Sequence, residues 1–228
     1  MAGGVIVGSV TQSYTGIAVR ESARAYGWAS GRVVTALSTA LGQSLPEVHM
    51  TTFSDLIAYL QKLGTADVEH THGTYLGHVA GVYRDLQAWG CPEDVCRAGM
   101  FHSIYGTEIF RSFSLPLERR SEVRELIGER AERLAYLNSA IDYASFDGLI
   151  EQGSHPAIML DRFTGRQIEV SPEDFDDLCR IHLCDRLEQA PRSKDWDFRP
   201  AVFRRLADRL GGVAKQSYDR VYASVATG

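Results

Sequence analysis

Residues 171–189 read SPEDFDDLCRIHLCDRLEQ. Ser171 followed by Pro172, Glu173 and Asp174 is a helix start. A hydroxyl caps free backbone N–H groups, proline sits where no N–H is needed, and two acids meet the positive end of the dipole. At 100° per residue, Phe175, Leu178 and Ile181 define one apolar face. His182 and Asp185 fall in the middle of that face, three residues apart. A carboxylate at the centre of a core face is costly unless it is paired or bound to a cation. The stretch predicts a long helix that carries polar chemistry into a helical core.

Two upstream helices repeat the anomaly. A helix over 92–103 places His102 on one face with Val95, Ala98 and Gly99, and the small pair Ala98-Gly99 lets another helix approach closely. A helix over 74–89 is apolar on two sides. Leu76, Val79, Ala80, Tyr83 and Leu86 form one side, and His78, Val82 and Trp89 form the other. That is the pattern of a central, surrounded helix, which buries His78. If the three helices meet, they supply two or three ring nitrogens and one carboxylate oxygen. Such a donor set suits a divalent transition metal (Fe, Mn or Zn) better than magnesium or calcium. Taken singly, each group reads as easily as a satisfied core histidine or a paired Asp185.

The rest of the chain supports a mainly α fold. Thr52 with Asp55 forms a capping box ahead of Leu56, Ile57, Tyr59 and Leu60, and Gly64 ends that helix. Leu117 to Ile141 reads as two helices divided at Gly128. Ala157 to Val170 alternates around Thr164-Gly165 and predicts one small β-hairpin. After a linker from Pro191 to Pro200, helices over 200–210 and 213–225 complete the chain. Residues 1–50 read as an N-terminal extension with a helix over 17–41, a segment able to mediate a homodimer, and 51–228 as the main domain.

Composition narrows the function classes. A chain of 228 residues with 44% hydrophobic residues can bury a real core. The formal charge of -5 disfavours nucleic acid and anionic membranes as partners, since both need a basic face. Nothing resembles a transmembrane run, and Met1 to Val10 lacks the basic start of a signal peptide. A small-molecule substrate and a cytoplasmic location are the expectations. Cys91, Cys96, Cys179 and Cys184 form two pairs of C-x4-C spacing. Five residues apart do not share a helix face, so reduced, packed thiols are expected.

The order of these residues is similar to the H…HD…D pattern of the HD superfamily. His78 is followed 24 residues later by His102, and then by Ile181-His182-Leu183-Cys184-Asp185-Arg186-Leu187-Glu188. The pattern resembles that of the guanosine-tetraphosphate hydrolases of the stringent response, including Ile127 to Leu134. It looks closer still to an uncharacterised HD-like family of unknown function. That family's hallmarks match Gly81-Val82-Tyr83, Trp89-Gly90, Phe101 to Thr107, Arg162-Phe163-Thr164-Gly165 and Leu187-Glu188-Gln189. The resemblance covers about residues 52–210. It implies an HD-like helical domain whose metal ligands are His78, His102 and Asp185.

The chain departs from the HD pattern where the second histidine is followed by Ser103 instead of Asp. Gly106 and Thr107 stand where nucleotide hydrolases carry an acidic pair, and Glu108 lies one residue on. The resemblance therefore implies one ion, not two, with His182 as a further ligand one turn from Asp185. Three readings follow. In a metal-dependent hydrolase of a phosphorylated small molecule or nucleotide, Glu108 acts as base beside Ser103. His72, Tyr75, Tyr105 and Arg162 then contact substrate, and His70 lies near the pocket. In a non-haem iron oxygenase, the same two histidines and carboxylate leave open positions on iron. In a metal-free scaffold, the cluster is a hydrogen-bonded network that binds a small ligand or a partner.

Overall fold

The structure, a computed structural model, describes residues 51–71, 73–153 and 157–225. The predicted extension over 1–50, its 17–41 helix and His72 lie outside the described residues. The fold is that of the unit Thr51–Gly228. It is mainly helical. In order come α1 (Phe53–Lys62), a short hairpin of β1 (Glu69–His70) and β2 (Gly73–Thr74), α2 (Tyr75–Ala88) and α3 (Glu93–Met100). Then follow α4 (Arg120–Ile127), α5 (Glu129–Ala140), α6 (Tyr143–Gln152) and a hairpin of β3 (Ala157–Leu160) with β4 (Gln167–Val170). α7 (Pro172–Gln189), α8 (Pro200–Leu210) and α9 (Gly212–Val225) close the chain.

Local chemistry accounts for most boundaries. Thr52 and Asp55 make the reciprocal capping box, and Ser171 Oγ accepts from the Asp174 N–H at the start of α7. Gly128, at φ 96°, separates α4 from α5 as its position predicts. The β3–β4 hairpin is antiparallel, with Ala157 opposite Val170 and Leu160 opposite Gln167. Two elements were not predicted. α6 is short and announces itself only through Asp142, whose carboxylate accepts from the Ser145 N–H, and Phe146 and Ile150 one turn apart. The β1–β2 hairpin has two residues a side, below the length at which alternation is readable.

α7 is the axis of the domain. It packs against α2 and α3 on one side and against α8 and α9 on the other. Ile181 and Cys184 join the core built with α1 to α5, whereas Phe175, Leu178, Leu183 and Leu187 join a second core with α6, the β3–β4 hairpin, α8 and α9. The helix is therefore buried on both flanks, not one-faced as predicted, because neighbours cover each side. His182 and Asp185 consequently point to different surroundings.

α3 corrects a second expectation. It ends at Met100, and His102 lies in the turn beyond it. Successive i→i+3 bonds (Phe101 N–H to Ala98 O, Ile104 N–H to Phe101 O) tighten the chain after the helix. α5 anchors that turn, since Asn138 Nδ2 and Ser139 Oγ both donate to the His102 carbonyl, at 2.9 and 3.1 Å. Two charged side chains of α5 hold the fold together. Glu132 is buried and accepts from Arg120 and Tyr105. Arg130 ties α3 to α7 through Asp94 and Asp177, at 2.8 and 2.7 Å. The four cysteines are free, and three are buried. Among the described residues, no helix is long and apolar enough to cross a membrane.

The contact of α2 with α3 rests on Gly99. A Cβ there would lie 2.2 Å from Leu86 Cδ1 and 3.2 Å from Val82 Cγ1. Gly99→Ala is expected to lower stability in urea by about 1–3 kcal/mol through overpacking. Combined with Leu86→Ala, its cost should be clearly less than additive, since the clash partner is gone. Additive costs would refute the clash.

Candidate metal centre

α2 contributes His78, the turn after α3 contributes His102, and α7 contributes Asp185. One ligand atom from each lies within 4.8 Å of the others, the one such group of three among the described residues. Both imidazoles are buried, and Asp185 is partly so. His78 Nε2 lies 3.1 Å and His102 Nε2 3.4 Å from the same atom, Asp185 Oδ1.

The other ring nitrogen of each histidine decides what this contact is. His102 Nδ1 lies 2.7 Å from the Gly99 carbonyl, which can only accept, so Nδ1 carries the proton. His78 Nδ1 lies 2.5 Å from Glu188 Oε2, again an acceptor. In their neutral forms both rings thus turn Nε2 lone pairs toward a carboxylate oxygen. In that neutral form three electron-rich atoms face one another with no proton between them. In that form His78 Nε2 has no hydrogen-bond partner, and only a second proton on the ring bonds it to Asp185, 3.1 Å away. A cation at this point satisfies all three, and neutral imidazoles with a carboxylate are the donors a divalent transition metal takes.

Supporting groups hold the three donors. Gly81 lets α7 come close to α2, for a Cβ there would meet Glu188 Oε1 at 2.9 Å. Glu188 then reaches His78 while Arg192 donates to both of its oxygens. Gln189 Nε2 donates to Asp185 Oδ1 at 2.5 Å, and Gln189 Oε1 accepts from Thr71 Oγ1 at 2.8 Å. Thr71 sits in the turn of the β1–β2 hairpin at φ 40°, a strained value for a β-branched residue. That hairpin is thereby tied to the Asp185 carboxylate.

A cavity of about 300 Å³ opens over His102 and Asp185. Its wall includes His70, Phe110, Tyr143, Arg186, Phe198 and Arg199. The His70 ring lies tilted at 45°, 4.5 Å from the His78 ring, and burial beside His78 lowers its pKa to about 4. His182 also lines the cavity but stands outside the group of three. Its ring lies on Phe203 at 5.4 Å and beside Phe146 at 5.1 Å, and its Nε2 accepts from Arg199 at 3.2 Å. Burial lowers its pKa to about 4 as well.

The other predicted residues divide. Ser103 lines the cavity and donates to Tyr75 Oη, at 3.2 Å. Tyr75 is fully buried and stacks on Phe110 at 5.2 Å. Tyr105 donates to Glu132, away from the three ligands. Arg162 braces the Ser139 and Gly106 carbonyls at 2.7 and 2.9 Å. Glu108 Oε2 accepts from the Tyr143 N–H at the start of α6, at 2.8 Å. Tyr75, Tyr105, Glu108 and Arg162 are not among the cavity-lining residues. Glu188, Gln189, Arg186 and Arg199 were missed as site residues. Glu188 was the most readable of them, since it follows Asp185 by three residues on one helix.

Residues 59–143 match the family described as "Domain of unknown function (DUF6817)". The matched stretch holds His78 and His102 and ends before Asp185. No curated protein and no solved structure matches the chain.

Two predictions follow from this geometry. Burial opposes charge on His78, but bonds to and charges of Asp185 and Glu188 outweigh it and raise its pKa from 6.5 to about 9. In metal-free protein this group's stabilisation is complete below pH 6.5 and is lost as pH rises through about 9. An ion must displace that proton, so affinity should rise over the same window. Calorimetry at pH 7.5 in buffers of different ionisation heats should show close to one proton released per ion; no release would mean His78 is already neutral. Separately, Gln189→Leu should weaken metal affinity roughly 10–100-fold without loss of fold; an unchanged titration would show that Gln189 does not orient Asp185.

Proposed function

We propose that the chain is an HD-like, metal-dependent hydrolase of a phosphorylated small molecule, with one divalent transition-metal ion on His78, His102 and Asp185. The observation that carries this reading is the meeting of two Nε2 lone pairs and one carboxylate oxygen, with both Nδ1 protons already committed to Glu188 and Gly99. A network without an ion needs His78 protonated on both nitrogens, and that added proton is the one an ion displaces.

When bound, such an ion acidifies a coordinated water and polarises a phosphoryl oxygen. The chain supplies the rest. Glu188 and the Gly99 carbonyl fix the tautomers of His78 and His102, and Gln189 orients Asp185. Ser103 gives its hydroxyl to Tyr75 and brings no carboxylate where two-ion HD proteins carry one, which supports a single ion. His182 belongs to the cavity wall in this reading, not to the ligand set. Glu108 enters as a positioning residue, because it fixes the start of α6 and so the place of Tyr143. Arg186 gives the cavity the charge that a phosphorylated substrate requires.

Two histidines and one carboxylate are equally the ligand set of mononuclear iron oxygenases. The test separates the two chemistries. Purified protein should carry close to one ion per chain, and His102→Ala and Asp185→Ala should carry almost none and melt at lower temperature. Phosphate release from phosphorylated substrates, without oxygen and with manganese, should be confined to the wild type. Turnover only with ferrous iron and oxygen would assign an oxygenase instead. Variants that stay folded and fully loaded would remove the metal centre altogether.

A further inference from the structure

The cavity wall contains a positive charge that no carboxylate among the described residues neutralises. Arg186 is 8% exposed and follows Asp185 on α7. No carboxylate among the described residues lies within ion-pair distance of its guanidinium. Its one hydrogen-bond partner among the described residues is the Asp195 main-chain carbonyl, to which Nη2 donates, and its guanidinium lies 6.0 and 5.8 Å from the centroids of the Phe198 and Phe203 rings. Its Nε–H is buried and has no partner. A buried, unpaired cation is costly, and a fold keeps one where a ligand supplies the counter-charge.

A neutral donor stands on the same wall. Arg199 Nη1 donates to His182 Nε2, so the His182 proton is on Nδ1. That Nδ1–H is buried, in a residue 4% exposed, and has no acceptor among the described residues; it is closed to anything the size of water, so a ligand meets it only when a neighbouring side chain moves aside. Arg199 is not itself the free charge. Its Nε and Nη2 pair with Asp147, and its guanidinium lies 4.3 Å over the Tyr143 ring. Its backbone is left-handed at φ 49°, a strained conformation for a residue with a Cβ. Arg199 thus sets the tautomer of His182. Beside these donors the mouth is apolar, with Ile109 and Phe198 exposed.

We infer that Arg186 and His182 form an oxyanion subsite in this cavity, which takes the charged end of a small organic anion whose apolar body lies against Ile109, Phe110 and Phe198. A cavity of about 300 Å³ is at the small end of ligand pockets, so the body is compact. A carboxylate and a phosphoryl group offer the same chemistry to these donors. That the anion is the substrate of the metal centre rests on the reading above; that it binds here does not, because neither donor is a metal ligand.

The test is made on metal-depleted, full-length protein. Phenyl phosphate and benzoate are titrated at matched ionic strength against chloride. At least one should bind saturably and raise the melting temperature, and which one does so identifies the head group. Arg186→Met and His182→Leu should each weaken that binding about tenfold or more. Arg186→Met should also be at least as stable as wild type without ligand, since an unpaired buried charge has been removed. Should either variant fold poorly, the Arg186 Nε–H resonance of the wild type should shift with the anion at saturation. Asp185→Ala should keep the binding, so a failed metal centre leaves this result standing. No saturable binding, binding only by metal-loaded protein, or equal binding by Arg186→Met would overturn the subsite.

Discussion

Asp185 Oδ1 receives two imidazole nitrogens, at 3.1 and 3.4 Å, and one amide N–H. The rest of the domain is arranged so that this oxygen can be reached. α2 must lie close to α3 for His78 and His102 to meet, and Gly99 removes the Cβ that would strike Leu86. α2 must also lie close to α7 for Glu188 to hold His78, and Gly81 provides that room. Two missing side chains therefore position three present ones. Packing of this density transmits small displacements, so the same contacts make the site sensitive to core substitutions.

Around that oxygen the protein separates two kinds of histidine. His78 and His102 have their Nδ1 protons drawn outward by acceptors, which leaves Nε2 for a cation. His182, three residues before Asp185, is turned the other way by a guanidinium and keeps its proton on Nδ1. One set of rings accepts and the other donates. A single cavity is thus lined by electron-pair donors, His102 and Asp185, and by the Arg186 guanidinium. That is the complementarity required by a ligand with one end bound near a cation and another end negatively charged.

Much of this was legible in the sequence, and the reasons differ by element. The Ser171 cap, the apolar spacing of 175–189 and the break at Gly128 are local signals, so α4, α5 and α7 fell close to their predicted bounds. α6 and the β1–β2 hairpin were not legible, because they are too short for a period to show. Among the site residues, His78, His102 and Asp185 stood out as polar groups on apolar faces. Glu188 and Gln189 did not, since an acid and an amide at a helix end look like ordinary surface. Arg162, Tyr105 and Glu108 looked like pocket residues by proximity in sequence, and in the fold they spend their polar groups on carbonyls, a buried carboxylate and a helix start.

By itself, the order of residues determined a helical domain, the helices that would carry the polar groups, and which three of those groups were out of place in a core. These follow from periodicity and capping, which act over a few residues. Only the tertiary structure decided that the three converge on one oxygen, that His182 bonds Arg199 instead, and that Arg186 meets no carboxylate among the described residues. Each of those depends on which nitrogen meets which acceptor across helices distant in sequence. Local propensity carries no information about such contacts; the packing of α2, α3 and α7 creates them.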